Sequence, residues 1–253
     1  LNGGVGNDNI LGNGATMSGG DGDDFITGGT NNDIMDGAAG DDTFVGGGGT
    51  DNVGGGAGSS VGDTILVAGT SGVDAINLSL SVTGQLVATV NGATTTYNNF
   101  VGGPIATSGI EQILVQAQNG NDGLTVNSAN GAVPILITYD GGANNDLLTL
   151  VGGVATADTY SVGPDLNRGT SVIVIGGVTQ QVSFLNIEPV IDLVGGPLVV
   201  LGTNANNNIT YTQGPNAGAP VANSGLVAID GFETIEFGNK TVLTINALLG
   251  NDN

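Results

Sequence analysis

The apolar and polar residues of the first quarter of the chain recur with a period of nine residues. The typical unit has glycine in its first two places and usually in its fourth, aspartate in the sixth and a large apolar residue in the eighth. Glycine tolerates the positive φ of tight turns and lets adjacent backbones approach closely. Each unit therefore predicts a turn and a short strand whose eighth residue faces a thin core. The eighth places of the regular units hold Ile26, Met35, Phe44 and Val53.

The series runs over residues 3–66 and contains two irregular units. Asp8 and Ile10 open it, a seven-residue unit (residues 12–18) lacks the aspartate, and a twelve-residue unit containing Asp63 closes it. The regular units between these points carry aspartate at a constant spacing of nine. Their sixth places are held by Asp24, Asp33, Asp42 and Asp51.

Beyond residue 66 the glycine period fades, and alternating runs typical of β-strands begin. Asp122 and Asp146 belong to two later nonapeptide-like units, and their spacing of 24 residues predicts one coil of a wider solenoid. Three similar segments, 73–78, 157–162 and 206–211, are each followed by a motif that contains glutamate. We interpret this part as about three decayed copies of one strand–turn–strand module, in coils of roughly 20 to 25 residues. The predicted division of one continuous stack is 1–66, 67–153 and 154–253.

The nonapeptide pattern of residues 3–66 resembles the RTX (hemolysin-type) calcium-binding repeat, which forms a parallel β-structure. The resemblance implies that two units make one coil of a flattened right-handed roll, with Ca²⁺ in the turns. The implied fold is all-β, an RTX-type parallel β-roll that continues into a β-solenoid or β-helix-like region. The later part of the chain is loosely similar to large repetitive bacterial surface proteins that carry RTX units, a similarity that implies no activity.

Two units per coil would place Asp24 near Asp42 and Asp33 near Asp51. Like charges that close repel unless a cation lies between them, and a flexible set of oxygen ligands suits Ca²⁺ better than zinc or copper. The alternative is that these aspartates only cap turns, a role that needs no strict period. With neighbouring backbone carbonyls, the predicted calcium ligands are Asp8, Asp21, Asp23, Asp24, Asp33, Asp41, Asp42, Asp51, Asp63, Asp122, Asp146 and Asp252.

The charge and composition argue against several functions. The chain has 23 acidic residues against two basic ones, Arg168 and Lys240, for a formal net charge of -21. This charge argues against nucleic acid and anionic membranes as partners, and no run is apolar enough to span a membrane, so we expect no membrane insertion. The absence of Cys and His excludes Ser-His-Asp and Cys-His catalysis. We expect Glu111, Glu188 and Glu233, which recur in a strand motif, to close backbone hydrogen bonds at a corner, and we predict no enzymatic activity.

The predicted function is an extracellular, calcium-stabilised structural module that stacks head to tail in a surface fibre, surface layer or adhesin stalk. Copies placed head to tail read in frame, with Asp252 nine residues before the next Asp8; the alternative is an arbitrary excision from a longer array. Weak extracellular calcium sites need roughly 0.1 to 1 mM Ca²⁺, which favours the cell surface. Two other functions stay open: a calcium-dependent folding and export segment of a larger secreted protein, or a passenger that binds ice or carbohydrate. No sequence feature supports carbohydrate binding.

Overall fold

The computed structural model describes residues 1–57, 62–99, 102–214 and 223–253, and in these ranges the protein is all-β. The strands form two long sheets, sheet A with 13 described strands and sheet B with 11, which enclose one hydrophobic core. Within the same ranges there is no α-helix, and a single 3-10 turn spans Ile105–Thr107. Residues 58–61, in the twelve-residue unit, lie outside the described ranges.

The first eight strands alternate between the sheets, odd-numbered strands in sheet A and even-numbered strands in sheet B. Neighbours within each sheet are parallel: Phe25 pairs with Thr43, and Met35 pairs with Val53, in both cases two repeat units further along the chain. The chain therefore passes through both sheets once for every two units. These strands are β1 (Asn2–Val5), β2 (Asn9–Leu11), β3 (Thr16–Asp21), β4 (Phe25–Thr27), β5 (Ile34–Ala39), β6 (Thr43–Val45), β7 (Gly49–Ala57) and β8 (Thr64–Ala68).

The regular alternation is then interrupted by a three-stranded antiparallel meander in sheet A. Its strands follow in the order β9 (Ala75–Leu80), β10 (Leu86–Val90) and β11 (Ala93–Asn99), and β11 returns to pair with β7 in parallel. Asn91 and Gly92, both with positive φ, form the tight turn that this dipeptide predicts. Parallel strands resume with β12 (Gln112–Gln116), β13 (Gly123–Asn127), β14 (Leu136–Asp140) and β15 (Leu147–Val151).

Two more meanders follow, one in sheet B between β14 and β20 and one at the end of sheet A. The three similar segments of sequence therefore overlap the first strands of the three meanders, β9, β16 and β21. The remaining strands are β16 (Ala157–Val162), β17 (Arg168–Ile175), β18 (Val178–Leu185), β19 (Val190–Asp192), β20 (Gly196–Leu201), β21 (Ile209–Gln213), β22 (Gly225–Ile229), β23 (Ile235–Phe237) and β24 (Lys240–Asn246).

The coils that contain a meander are longer than the 20 to 25 residues expected from the sequence. The spacing predicted from Asp122 and Asp146 occurs where Leu124 pairs with Leu148. In the preceding coil, however, Ile65 pairs with Ile113, so the two paired residues are separated by twice as many residues as Leu124 and Leu148. The step is longer because a meander adds antiparallel strands between two segments that pair in parallel. The short coils expected from the sequence are therefore not the rule in the later part of the chain.

The core is a row of apolar side chains between the two sheets. Ile26, Met35, Phe44 and Val53 are fully buried, so the prediction that the eighth place faces the core is confirmed. The same cluster of buried residues continues from Ile10 to Phe237, past both predicted boundaries. The apolar eighth-place residues thus form the core of the repeat region, and the sixth-place aspartates lie at the corners of the coils.

Candidate metal centre

The sixth-place aspartates form rows along the corners of the fold, which we call carboxylate ladders. In the first ladder, Oδ1 of Asp24 accepts a hydrogen bond from the backbone N–H of Asp8 at 2.8 Å, and Oδ1 of Asp42 accepts one from Asp24 at 2.8 Å. Oδ1 of Asp63 then accepts the N–H of Asp42 at 2.9 Å. The ladder ends at Glu111, whose Oε2 accepts the N–H of Asp63 at 3.0 Å. Each carboxylate therefore joins its own coil to the preceding one.

A second ladder lies on the units that alternate with the first. Oδ1 of Asp33 accepts the N–H of Ala15 at 2.7 Å, and Oδ1 of Asp51 accepts the N–H of Asp33 at 3.0 Å. The next coil contributes Tyr97, whose hydroxyl oxygen accepts the N–H of Gly46 at 3.0 Å. The predicted neighbours, Asp24 with Asp42 and Asp33 with Asp51, are thus brought together one coil apart.

The later predicted ligands continue the same arrangement. Oδ1 of Asp122 accepts the N–H of Asp74 at 2.7 Å, and Oδ1 of Asp146 accepts the N–H of Asp122 at 2.8 Å. Near the end of the chain, Oδ1 of Asp252 accepts the N–H of Asn207 at 2.8 Å. Asp74 was not among the predicted ligands, although Gly69, Asp74 and Ile76 occupy the first, sixth and eighth places of a unit whose second glycine is threonine.

The second carboxylate oxygen distinguishes most ladder residues from ordinary turn caps. Seven of the predicted sixth-place aspartates are no more than 3% exposed, and an eighth, Asp8, is half-buried. In the described part of the chain their Oδ2 atoms are buried and have no hydrogen-bond partner. These oxygens belong to Asp8, Asp24, Asp33, Asp42, Asp51, Asp63, Asp122 and Asp146. A buried carboxylate oxygen without a donor is costly, so each of these positions favours a positive ligand.

The first-place glycines make room for these oxygens. A Cβ atom on Gly19 would lie 2.0 Å from Oδ2 of Asp24 and 2.7 Å from the carbonyl oxygen of Gly37. At Gly28 the corresponding distances are 2.8 Å to Oδ2 of Asp33 and 3.0 Å to the carbonyl oxygen of Gly46. The unpartnered carboxylate oxygen and a carbonyl oxygen of the next coil thus flank the same small space, which any larger residue would fill.

Burial raises the pKa of several ladder carboxyl groups, to about 6 for Asp42 and Asp63 and to about 7 for Asp51. The pKa of Asp146 rises to about 6 for the same reason. The backbone N–H that each carboxylate accepts opposes the rise, and the negative charge of the neighbouring carboxylates adds to it. The chain itself therefore disfavours the ionised form at these corners.

Three other predicted ligands lie on the outer rim of the turns, where Asp21, Asp23 and Asp41 are exposed. Oδ1 of Asp23 accepts the N–H of Asp41 at 3.0 Å, and Oδ1 of Asn7 accepts the N–H of Asp23 at 3.0 Å. Asn7 and Asp23, which both hold fifth places, thus accept hydrogen bonds from the following coil, whereas the sixth-place carboxylates accept them from the preceding coil. The Asn-Asp and Asp-Asp pairs at the fifth and sixth places are the sequence signal for this outer row, in which Asp23 and Asp41 were predicted as ligands and Asn7 was not.

The ladders are suited to a hard cation. The atoms that the ladders offer to a metal are all oxygens, from the ionisable Oδ2 and from backbone carbonyls. Such oxygen ligands are the ones that Ca²⁺ prefers. Among the described residues, no group of three or more His, Cys, Asp or Glu side chains converges as a metal site. A cation at the ladders would therefore depend on backbone carbonyls for much of its coordination. The residues present fit such an ion at the paired sixth-place aspartates.

The three recurring glutamates have different environments. Glu111 closes a backbone hydrogen bond at a corner, as expected. The N–H of Glu188 donates to the carbonyl oxygen of Asp146 at 2.6 Å. Glu233 is buried, and burial, followed by the charge of Glu188, raises its pKa to about 7. The absence of enzymatic activity stays a prediction.

Comparison of the chain with family models, with curated proteins and with solved structures finds no match. The resemblance to the RTX repeat therefore rests on the repeat residues themselves. In the described ranges, no helix has the length and apolar character required to cross a membrane.

Proposed function

We propose that the chain is an extracellular structural module, built as an RTX-type β-roll that continues into a β-solenoid-like region and stabilised by Ca²⁺. The observation that carries this proposal is the row of buried Oδ2 atoms without partners. A turn-capping role alone would be fulfilled by Oδ1, which already accepts a backbone N–H. It would leave the second oxygen of each carboxylate unexplained.

Electrostatics supports the need for a bound cation. Neighbouring coils lie about 4.8 Å apart, and two carboxylates at that distance repel by about 3 kcal/mol at an effective dielectric constant of 20. The chain has two basic residues, and neither serves the ladders in the described structure. Arg168 is exposed beside Asp165, and Lys240 is buried between Asp158 and Asp192. Bound Ca²⁺ would supply the missing positive charge between coils.

The proposal includes assembly with further copies of the chain. In the described residues, β1 and β21 end sheet A, and β2 and β24 end sheet B. Leu1, Val5 and Leu11 are exposed at one end of the stack, and Val242 and Leu249 at the other. Unpaired strand edges and exposed apolar residues favour the addition of another coil. Head-to-tail stacking would cover both ends and build a fibre, layer or stalk at the cell surface.

Calcium titration of the protein tests the first part of the proposal. We expect heat of binding in calorimetry, and loss of the far-ultraviolet β-signal of residues 1–66 when excess chelator is added. Magnesium serves as the control, because it requires a more rigid octahedral site. An unchanged β-signal and melting temperature in chelator, with no heat of binding, would refute a role for calcium.

Sedimentation in millimolar calcium tests the second part. We expect species larger than the monomer, and we expect Val5→Lys to abolish them, because a charge on an edge strand opposes pairing. Val82→Lys is the matched control, since Val82 is equally exposed but lies between β9 and β10, outside the four end strands. A monomer at high concentration would exclude stacking while leaving the calcium result intact.

A further inference from the structure

The single lysine of the chain, Lys240, lies in a buried cluster that shares no residue with the carboxylate ladders. Nζ of Lys240 is 2.7 Å from Oδ2 of Asp158 and 2.8 Å from Oδ1 of Asp192. It also donates to the carbonyl oxygen of Val194 at 2.7 Å. The three charged side chains are 2%, 0% and 1% exposed. An amine and two carboxyl groups are thus held together without access to bulk water.

The cluster joins three strands that are distant in sequence. Asp158 lies in β16 and Lys240 begins β24, in sheet B, whereas Asp192 ends β19 in sheet A. Val190 and Val194, on either side of Asp192, are fully buried. Oδ1 of Asp158 and Oδ2 of Asp192 have no hydrogen-bond partner among the described residues. Two buried carboxyl groups share one ammonium group, so at most one negative charge is compensated.

The two carboxyl groups are not equivalent. Burial and then the negative charge of Asp192 raise the pKa of Asp158, against the opposing effect of Lys240. Oδ1 of Asp192 in contrast lies 2.8 Å from Nζ of Lys240 and accepts a hydrogen bond from the N–H of Val194 at 3.0 Å. Asp158 therefore favours its protonated form, and Asp192 places a carboxylate oxygen within reach of the Lys240 ammonium group.

We propose that Lys240 and Asp158 join spontaneously in the folded protein through an intramolecular amide (isopeptide) bond, with Asp192 as the proton carrier. The Nζ–Oδ2 distance of 2.7 Å leaves the amine adjacent to the carboxyl carbon. A near-attack geometry requires reacting atoms roughly 3 to 3.5 Å apart and a fixed orientation, both of which packing can supply.

The reaction is a condensation that balances without an oxidant or cofactor. The ammonium of Lys240 transfers a proton to Asp192, and the neutral amine attacks Cγ of the protonated Asp158. The C–N bond forms, and the carboxyl group passes through a tetrahedral intermediate. Asp192 removes the second proton of the nitrogen as it returns its first to the leaving hydroxyl group. The C–O bond breaks, one water leaves, and an amide remains between β16 and β24.

This bond would give the later part of the chain a crosslink that does not depend on calcium. The ladders hold coils together through charges that need a cation, whereas a covalent link between β16 and β24 would persist in chelator. Such a link suits a protein exposed to varying calcium or to tension. The inference stands on the Lys240 cluster alone and does not require the calcium proposal.

Mass spectrometry and trypsin digestion of the folded and then denatured chain test the proposal. We expect an intact mass lower than that of the sequence by one water. Trypsin cleaves after Arg168 and Lys240, the two basic residues, but not after an acylated lysine. With the proposed bond, residues 1–168 and 169–253 stay joined in denaturing electrophoresis. Without it, the fragments are 1–168, 169–240 and 241–253.

The variants separate the roles within the cluster. Lys240→Arg keeps the positive charge but cannot form the amide, so its mass and its three-fragment digest should be those of the linear chain. Asp192→Asn should fold, as judged by circular dichroism, and remain linear or react many times more slowly. A wild-type chain of full mass that yields three fragments would show an ion pair only and overturn the proposal. A mass lower by one water with separated fragments would overturn the assignment to Asp158, since Asp192 lies in the same fragment as Lys240.

Discussion

Replacing Asp42 by asparagine should stabilise the protein in chelator and destabilise it in calcium. The variant keeps Oδ1 as acceptor for the N–H of Asp24, at 2.8 Å, and keeps the N–H that donates to Asp63. It removes the negative charge and the unpartnered Oδ2. The substitution therefore removes the charge and the calcium ligand at the centre of the first ladder and puts an amide NH2 group in place of Oδ2, while the hydrogen bond at Oδ1 is retained.

The size of both effects can be worked from the ladder. Asp42 has a carboxylate neighbour one coil away on each side, and each pair repels by about 3 kcal/mol at a dielectric constant of 20. Screening and partial protonation reduce this, so we expect a gain of about 1 to 3 kcal/mol in chelator at pH 8. In calcium at 100 times the dissociation constant, loss of one site costs about 2.7 kcal/mol. Each kcal/mol corresponds to roughly 2 to 4 °C in the melting temperature of a domain of this size.

Thermal melts of wild type and variant in calcium and in calcium-free buffer measure the effect. Asp36→Asn is the matched control, because Asp36 lies on the same part of the chain, in β5, but outside the ladders. The control should shift both melts alike. If Asp42→Asn lowers the melting temperature equally with and without calcium, the carboxylate is a hydrogen-bond acceptor only and the reasoning is wrong.

Three further predictions test the corners of the fold. Gly19→Ala should cost about 2 to 4 kcal/mol in denaturant unfolding, because its Cβ meets Asp24 at 2.0 Å, whereas Gly123→Ala, with open space, should be nearly neutral. Without calcium, the melting temperature should fall as pH rises from about 4 to about 7, since buried carboxyl groups with raised folded-state pKa values bind more protons than the unfolded chain. Glu111→Ala should cost about 1 to 3 kcal/mol by leaving the N–H of Asp63 unpaired, and Glu111→Gln should restore most of it.

The sequence by itself determined the repeating parts of this protein. A nine-residue period with glycine in the turns specifies short strands, and apolar eighth places such as Met35 and Val53 must face one core. The same period placed Asp24 beside Asp42, because residues one coil apart share one corner. The spacing of Asp122 and Asp146 likewise predicted the coil in which β13 pairs with β15. Local periodicity suffices here because each unit contacts mainly its nearest neighbours in the stack.

Only the tertiary structure decided what the repeats could not encode locally. The three meanders reverse the chain direction before parallel pairing resumes. The direction of a strand depends on the neighbouring strand with which it pairs in register, and the repeat pattern does not specify that neighbour. The burial of the ladder carboxylates depends on the backbone of the next coil covering them. The meeting of Lys240 with Asp158 and Asp192 depends on the path of both sheets, because these residues come from separate coils. No period relates them, so their chemistry arises from packing alone.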